Sequence, residues 1–200
     1  MKRIIGLTGG IATGKSTVAN YLEKTYKLPI LDADIYAREA VAANSPILNK
    51  IAQRYGRDIL TNNELNRAKL GEIIFNNESE RLWVESLIHP YVKERFYQEI
   101  ITSSNNILIL VIPLLFEVGM TDIVTETWVV SCSESQQLER LMQRNNLNLE
   151  QAQARIKSQM PLAEKIARAN VVLDNSQNIE TLLKQVDIAV KNQVENFKLR

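Results

Sequence analysis

The stretch Gly9-Gly10-Ile11-Ala12-Thr13-Gly14-Lys15-Ser16 sets two glycines, with four residues between them, ahead of a lysine and a hydroxyl. Glycine reaches backbone angles that a Cβ obstructs, so successive N–H groups in such a loop can turn inward toward anionic oxygens. Lys15 then supplies a flexible positive charge for β- and γ-phosphates, and the Ser16 hydroxyl can ligate Mg²⁺. A helix beginning here adds its positive dipole end and its unpaired N–H groups. The spacing is that of a phosphate-binding loop, G-x-x-x-x-G-K-[ST]. It makes Gly9, Gly10, Ile11, Ala12, Thr13, Gly14, Lys15, Ser16 and Thr17 the candidate nucleotide-binding residues, with Ser16 the metal ligand.

A guanine reader of the N-K-x-D type is absent, because Asn49-Lys50 is followed by Ile51-Ala52. With His89 the only histidine, little nucleophilic triad chemistry is available. Phosphoryl transfer remains, to water or to a bound acceptor. Asp32 and Asp34 close an apolar run and lie two apart, so continued strand geometry would turn both side chains to one face. One carboxylate could accept a proton from an acceptor hydroxyl while the other positions substrate or magnesium-bound water, Asp34 being the better base. The competing reading is an Asp N-cap for a helix over Ile35–Ala43.

Arg140 and Arg144, spaced i, i+4, share a helix face, and Arg155 follows on the next helix. They are candidates to close over the transferring phosphoryl group, or are solvated surface residues. His89, before Pro90, reads as structural or as a proton shuttle. Glu117, after Pro113-Leu114-Leu115-Phe116, could face the acceptor. Trp83, Phe96 and Trp128 read as packing residues, and Cys132 as a buried thiol.

The elements that must position these groups follow from the apolar pattern. Strands are predicted at Arg3–Leu7, Leu28–Leu31, Ile107–Ile112, Thr127–Cys132 and Asn170–Leu173. The first 34 residues read β-loop-α-β, the sign of a parallel α/β sheet. From Ile35 to about Ser103 the pattern is helical and strand-poor, with a break or kink at His89-Pro90. This is read as a helical lobe inserted beside the sheet. Further helices carry Leu138-Leu141-Met142, Leu149-Ala152-Ile156 and Ala163-Ile166-Ala167, and a last one spans about Ile179–Phe197.

Composition narrows the classes. Lys+Arg 24 against Asp+Glu 23 gives a net charge of +1, unlike the strongly basic footprint of a nucleic-acid coat. One cysteine and one histidine leave neither an internal disulfide nor a zinc cluster, which fits a reducing cytoplasm. The run Ile107–Phe116 is half the roughly 20 residues of a membrane helix. No membrane or nucleic-acid partner is expected, and the chain is read as a monomer or small homo-oligomer.

Taken in order, these motifs resemble the dephospho-CoA kinases. The likeness starts with Gly6-Leu7-Thr8-Gly9-Gly10-Ile11 and Gly14-Lys15-Ser16-Thr17-Val18. It continues through Asp32-Ala33-Asp34 with Ala37-Arg38, Leu87-Ile88-His89-Pro90 and Pro113-Leu114-Leu115-Phe116-Glu117, then Arg140 with Arg144, Gln159 and Asp174-Asn175-Ser176. The resemblance implies a P-loop NTPase fold like the nucleoside monophosphate kinases: a three-layer α/β unit with a five-stranded parallel sheet flanked by helices. The core would comprise about 1–34, 107–133 and 169–200, the acceptor lobe about 35–106 and a mobile lid about 134–168. It further implies that ATP, with Mg²⁺, phosphorylates the ribose 3′-hydroxyl of dephospho-CoA. Asp34 would then be the base, and Lys15, Arg140 and Arg144 would hold the phosphoryl charge. Asp32, Arg38, Arg67, His89 and Glu117 would serve the acceptor. Ala12-Thr13 stand where Gly-Ser is common, and Asn66-Arg67 where Asp-Arg is frequent. The rivals are another P-loop kinase of a small molecule or nucleoside, and a nucleotide-dependent switch.

Overall fold

Unalternated apolar runs become strands covered on both faces. The computed structural model describes residues 2–198. It opens with β1 (Arg3–Gly9), α1 (Lys15–Tyr26), β2 (Ile30–Asp32), α2 (Ala33–Ala40) and α3 (Pro46–Tyr55). Next come β3 (Leu60–Thr61), β4 (Glu64–Leu65), α4 (Arg67–Asn76) and α5 (Glu78–Thr102). The remainder is β5 (Ile107–Val111), β6 (Glu126–Ser131), α6 (Glu134–Asn145), α7 (Leu149–Lys157), α8 (Leu162–Ala167), β7 (Val171–Asp174) and α9 (Ile179–Lys198). Five strands make one sheet in the order β2-β5-β1-β6-β7. β1 pairs in parallel with β5 and β6, and β6 with β7. Its place at the centre follows from its composition: Ile5 and Leu7 are both fully buried.

The chain divides into two compact units. The first, up to Leu31 and from Ser104 onward, packs Val18, Ala19 and Leu22 of α1 with Leu182, Val186 and Ala189 of α9 and with sheet residues Ile5, Ile109, Trp128 and Val130. Complete burial of each such large apolar side chain is worth about 1.5–3 kcal/mol. The second unit, Asp32–Ser103, has its own core of Val41, Ile51, Ile59, Leu70 and Val84. On its surface, Arg54 and Tyr55 both donate to the Glu80 carboxylate, which these hydrogen bonds hold down at about 2.

Two local features of the second unit depart from the sequence expectation. β3 and β4 pair antiparallel across Asn62-Asn63, whose φ angles are 51° and 63°. Asparagine tolerates the left-handed region that such a tight turn requires. At His89-Pro90 the helix does not break, and α5 continues for 25 residues with Pro90 inside it. Pro90 removes one hydrogen bond to the Ser86 carbonyl. Both residues are exposed, so water can reach that carbonyl, while Val84, Val92 and Phe96 are buried on either side of the proline.

The first unit also buries a charge network. Arg3, 3% exposed, pairs with Glu126 and donates to the Val190 and Ala189 carbonyls of α9 at 3.1 Å each. Glu126 further accepts the Trp128 indole N–H at 3.0 Å. Removing one partner strands a buried charge, whereas removing both does not. Arg3→Met is therefore expected to destabilise the protein by about 3–5 kcal/mol. In denaturant titration, Arg3→Met with Glu126→Leu should regain most of that loss; a double variant no better than the single would refute the account.

Candidate active site

The first turn of α1 is built to face an anion. Side chains cap each of α2 to α7: Asp32, Ser45, Asn66, Asn77, Ser133 and Asn148. The N-cap of α1 is instead Gly14, without a side-chain hydrogen bond, and its first turn holds no acidic residue. The Thr17 and Val18 amides bond to the Gly14 carbonyl at 3.0 and 3.3 Å, and the positive end of the helix dipole lies at this terminus. Lys15 Nζ donates to the Gly10 carbonyl at 2.7 Å and the Gly9 carbonyl at 3.2 Å, folding the ammonium back along the loop. The Ser16 hydroxyl is exposed at the same helix end.

Three loop residues have positive φ: Gly9 at 148°, Ala12 at 60° and Gly14 at 107°. Ala12, placed where glycine is common, thus adopts a left-handed conformation that costs an L-residue roughly 1–2 kcal/mol. Side chains from elsewhere hold this shape. The Ile11 amide donates to Gln159 Oε1 at 3.0 Å, and its carbonyl accepts from Gln137 Nε2 at 2.7 Å. Asn175 Nδ2 donates to the Thr13 carbonyl at 2.8 Å, while buried Thr13 returns its hydroxyl to the Gly10 carbonyl at 2.9 Å. Ile11, expected among the nucleotide contacts, thus has both its backbone groups tied to the protein.

Gln159 and Asn175 were legible only as parts of the family resemblance, and Gln137 was missed. Gln136 and Gln137 are adjacent on α6, yet Gln136 closes a capping box while Gln137 is 4% exposed beneath the loop. Nothing in their sequence context separates them.

The arginines differ from the expectation of one shared exposed face. Arg140 is half-buried, donates from Nη2 to the Asn175 carbonyl at 3.1 Å and has a buried Nη1 with no hydrogen-bond partner among the described residues. Arg144 is exposed and donates to Asn145 Oδ1 at 2.9 Å; Arg155 is exposed on α7. The i, i+4 spacing survives, but Gln137 and Leu141 turn into the protein and draw Arg140 with them. Cys132 is buried as expected, and burial pushes its thiol up, opposed by the charge of Arg140. Glu117 Oε1 accepts from Lys165 Nζ at 2.8 Å and from the Met160 amide at 3.0 Å.

In the second unit, strand geometry ends at Asp32, not at Asp34. Asp32 has φ −113° and ψ 120°, and its carboxylate accepts the Asp34 amide at 2.8 Å. It is therefore the N-cap of α2, as the competing reading had it, and the expectation of a continued strand that turns both carboxylates to one face is corrected. Asp34 sits exposed in the first helical turn, and Arg38 is exposed on the same helix. Arg67 opens α4 beside a cavity of about 200 Å³ lined also by Val41, Ala42, Ala43, Glu64 and Leu65. Asn66 caps that helix through the Lys69 amide, as the more frequent aspartate would. His89 is half-buried on α5.

The loop glycines can be ranked. A Cβ on Gly9 would lie 2.4 Å from the Val130 carbonyl oxygen, part of a sheet strand that cannot yield. On Gly10 it would meet the side-chain amide of Gln137 at 2.3 Å, which can swing aside. Gly9→Ala is expected to destabilise by roughly 1–3 kcal/mol, through strain as well as collision, and more than Gly10→Ala. Thermal unfolding of both variants decides the order; equal losses would contradict it.

Comparison with known proteins agrees with the motifs. The family model described as dephospho-CoA kinase matches residues 3–181. The dephospho-CoA kinase of Trichormus variabilis is 66% identical over 199 residues, 99% of each chain. That of Synechocystis sp. is 56% identical over 187 residues, covering 92% of this chain and 93% of the relative. The solved dephospho-CoA kinase from Campylobacter jejuni superposes with a TM-score of 0.74 at 27% identity, covering 98% of this chain and 99% of that one. With a match this long carried by residues well beyond the loop, the chain belongs to the dephospho-CoA kinase family.

Proposed function

We propose that this protein transfers the γ-phosphoryl group of ATP to the ribose 3′-hydroxyl of dephospho-CoA, giving CoA and ADP. What carries the reading is the likeness over residues 3–181 to dephospho-CoA kinases, since the loop alone suits any phosphate-binding kinase. The reading places the phosphates against the start of α1, which no side chain caps, with Lys15 swinging from the loop carbonyls onto the phosphoryl oxygens. Asp34 takes the proton of the 3′-hydroxyl as its oxygen attacks the γ-phosphorus. The bond from that phosphorus to the β–γ bridging oxygen breaks, and ADP leaves.

Arg140, with an unsatisfied Nη1 beside the Asn175 carbonyl, and Arg144 stabilise the charge that spreads over the transferring group. The segment around 134–168 acts as the lid that brings them in. Asp32, Arg38, Arg67, His89 and Glu117 remain the proposed acceptor residues, with Asp32 acting also as the cap that orients the first turn of α2.

The residues fit Mg²⁺ as a nucleotide-borne ion. Among the described residues no group of His, Cys, Asp or Glu could hold a metal by itself. A hard cation that keeps waters and substrate phosphates needs few protein oxygens, and exposed Ser16 offers one at the helix end. Bound there, Mg²⁺ would supply positive charge to offset that of the nucleotide phosphates. No helix among the described residues is long and apolar enough to cross a membrane.

Incubation with Mg-ATP and a panel of acceptors tests the assignment: dephospho-CoA should yield CoA, and phosphorylation of a different alcohol instead would overturn it. Asp34→Asn should lower kcat by about 10²–10⁴ while KM for ATP stays within a few-fold, because a proton acceptor is removed from the transfer step. Unaltered turnover would exclude Asp34 as the base. Arg144→Ala should slow the single-turnover rate at least about tenfold, and a wild-type rate would leave Arg144 a surface residue.

A further inference from the structure

Lys165 is a lysine with no solvent exposure, on a six-residue helix most of whose other residues face water. Its ammonium contacts two groups, the Glu117 carboxylate at 2.8 Å and the Pro113 carbonyl at 3.0 Å. Each leads back to the phosphate loop. The Pro113 carbonyl also accepts the hydroxyl of Thr8, the residue just before Gly9, at 3.1 Å. The Glu117 oxygen that binds Lys165 also accepts the Met160 amide at 3.0 Å, and the next residue back, Gln159, holds the Ile11 amide. These contacts form a circuit that leaves the sheet at Thr8 and returns to the loop at Ile11.

Apart from these two ties, the hydrogen bonds of the segment between α7 and α8 are local, such as those from Ser158 to the Ala154 and Arg155 carbonyls. Pro161 at the start of α8 provides no side-chain cap, and the Gln159 amide makes a turn hydrogen bond of 3.2 Å to the Ile156 carbonyl. The tie from Glu117 reaches it across 43 residues. A buried ion pair is a costly way to fill space, since apolar residues of similar volume often serve stability as well or better. What the pair adds is direction, because it sets the height and angle at which Gln159 meets the loop.

We propose that Lys165 and Glu117 are positioning residues for nucleotide binding, fixing the Gln159-Met160 segment so that Gln159 holds Ile11 and keeps the phosphate loop in its binding shape. This rests on the nucleotide site proposed above. Toward the nucleotide held by the phosphate loop, neither residue makes contact and both act through Gln159, whatever Glu117 also contributes on the acceptor side.

The test is a double-mutant cycle on Mg-ADP affinity, measured by calorimetry. Gln159→Ala, which deletes one neutral hydrogen bond, should weaken binding about fivefold. Glu117→Ala should weaken it by a similar factor, and the double variant should be no more than about twofold worse than either single one. Glu117→Gln keeps an acceptor for the Met160 amide and should recover most of the lost affinity. If Glu117→Ala fails to fold because Lys165 is left unpaired, Lys165→Met with Glu117→Leu removes both charges and should show the same loss. Independent effects that multiply to about 25-fold, or wild-type affinity in Glu117→Ala or in the variant that removes both charges, would overturn the proposal alone. A wild-type protein that does not bind Mg-ADP would overturn the nucleotide site and this inference together.

Discussion

A phosphate loop binds an anion only while several consecutive amides point at one spot, and an isolated chain does not stay in that shape. Gly9, Ala12 and Gly14 all hold positive φ within six residues, and hydrogen bonds from outside the loop oppose its relaxation. Much of the first unit converges on this requirement. The Val130 carbonyl of β6 packs where a Gly9 Cβ would be, α6 supplies Gln137, the α7–α8 connection supplies Gln159, and the end of β7 supplies Asn175. The parallel sheet brings these segments to one edge because β1, β6 and β7 are neighbours that end together.

The same constraint explains how a chain of net charge +1 makes a site for a highly charged ligand. Backbone amides carry no formal charge, and an uncapped helix start concentrates their partial charges in one place. In the proposed site Lys15, Arg140 and Arg144 add full charges from the first unit, so the remaining surface can stay balanced. Arg140 combines two tasks: one nitrogen braces Asn175, which braces Thr13, and another is still unsatisfied.

The elements were readable wherever burial alone decides them. Ile107–Val111 is apolar throughout because both of its faces are covered, and the sequence reading placed it within a residue. The β3–β4 hairpin escaped because its strands are two residues each and its turn is Asn-Asn, without the glycine that usually marks one. Of the break or kink expected at Pro90, the break does not occur, because the freed carbonyl can meet water. At the site, the loop could be found from spacing because its glycines answer a backbone requirement. Gln137 and Lys165 could not, since their importance lies in partners 126 and 48 residues away, and those distances exist only after folding. Asp32 lay between these cases: its type signalled a cap and a carboxylate site equally, and the φ and ψ at the strand end showed that it caps.

The ties from Arg3 to the Ala189 and Val190 carbonyls also bear on how the chain is assembled. The first unit is discontinuous: its central strand comes early in the chain, but β6, β7 and α9 follow only after the whole of the second unit. Residues 32–103 contain every strand and helix of their own core and can collapse as soon as they leave the ribosome. β1 must wait for β5 and β6 to pair its two edges, and Arg3 gains its α9 acceptors only when nearly the entire chain exists. Such long-range closure is slow and leaves sticky strands exposed meanwhile. In this architecture the phosphate loop, hanging from the end of β1, is among the last features to become rigid.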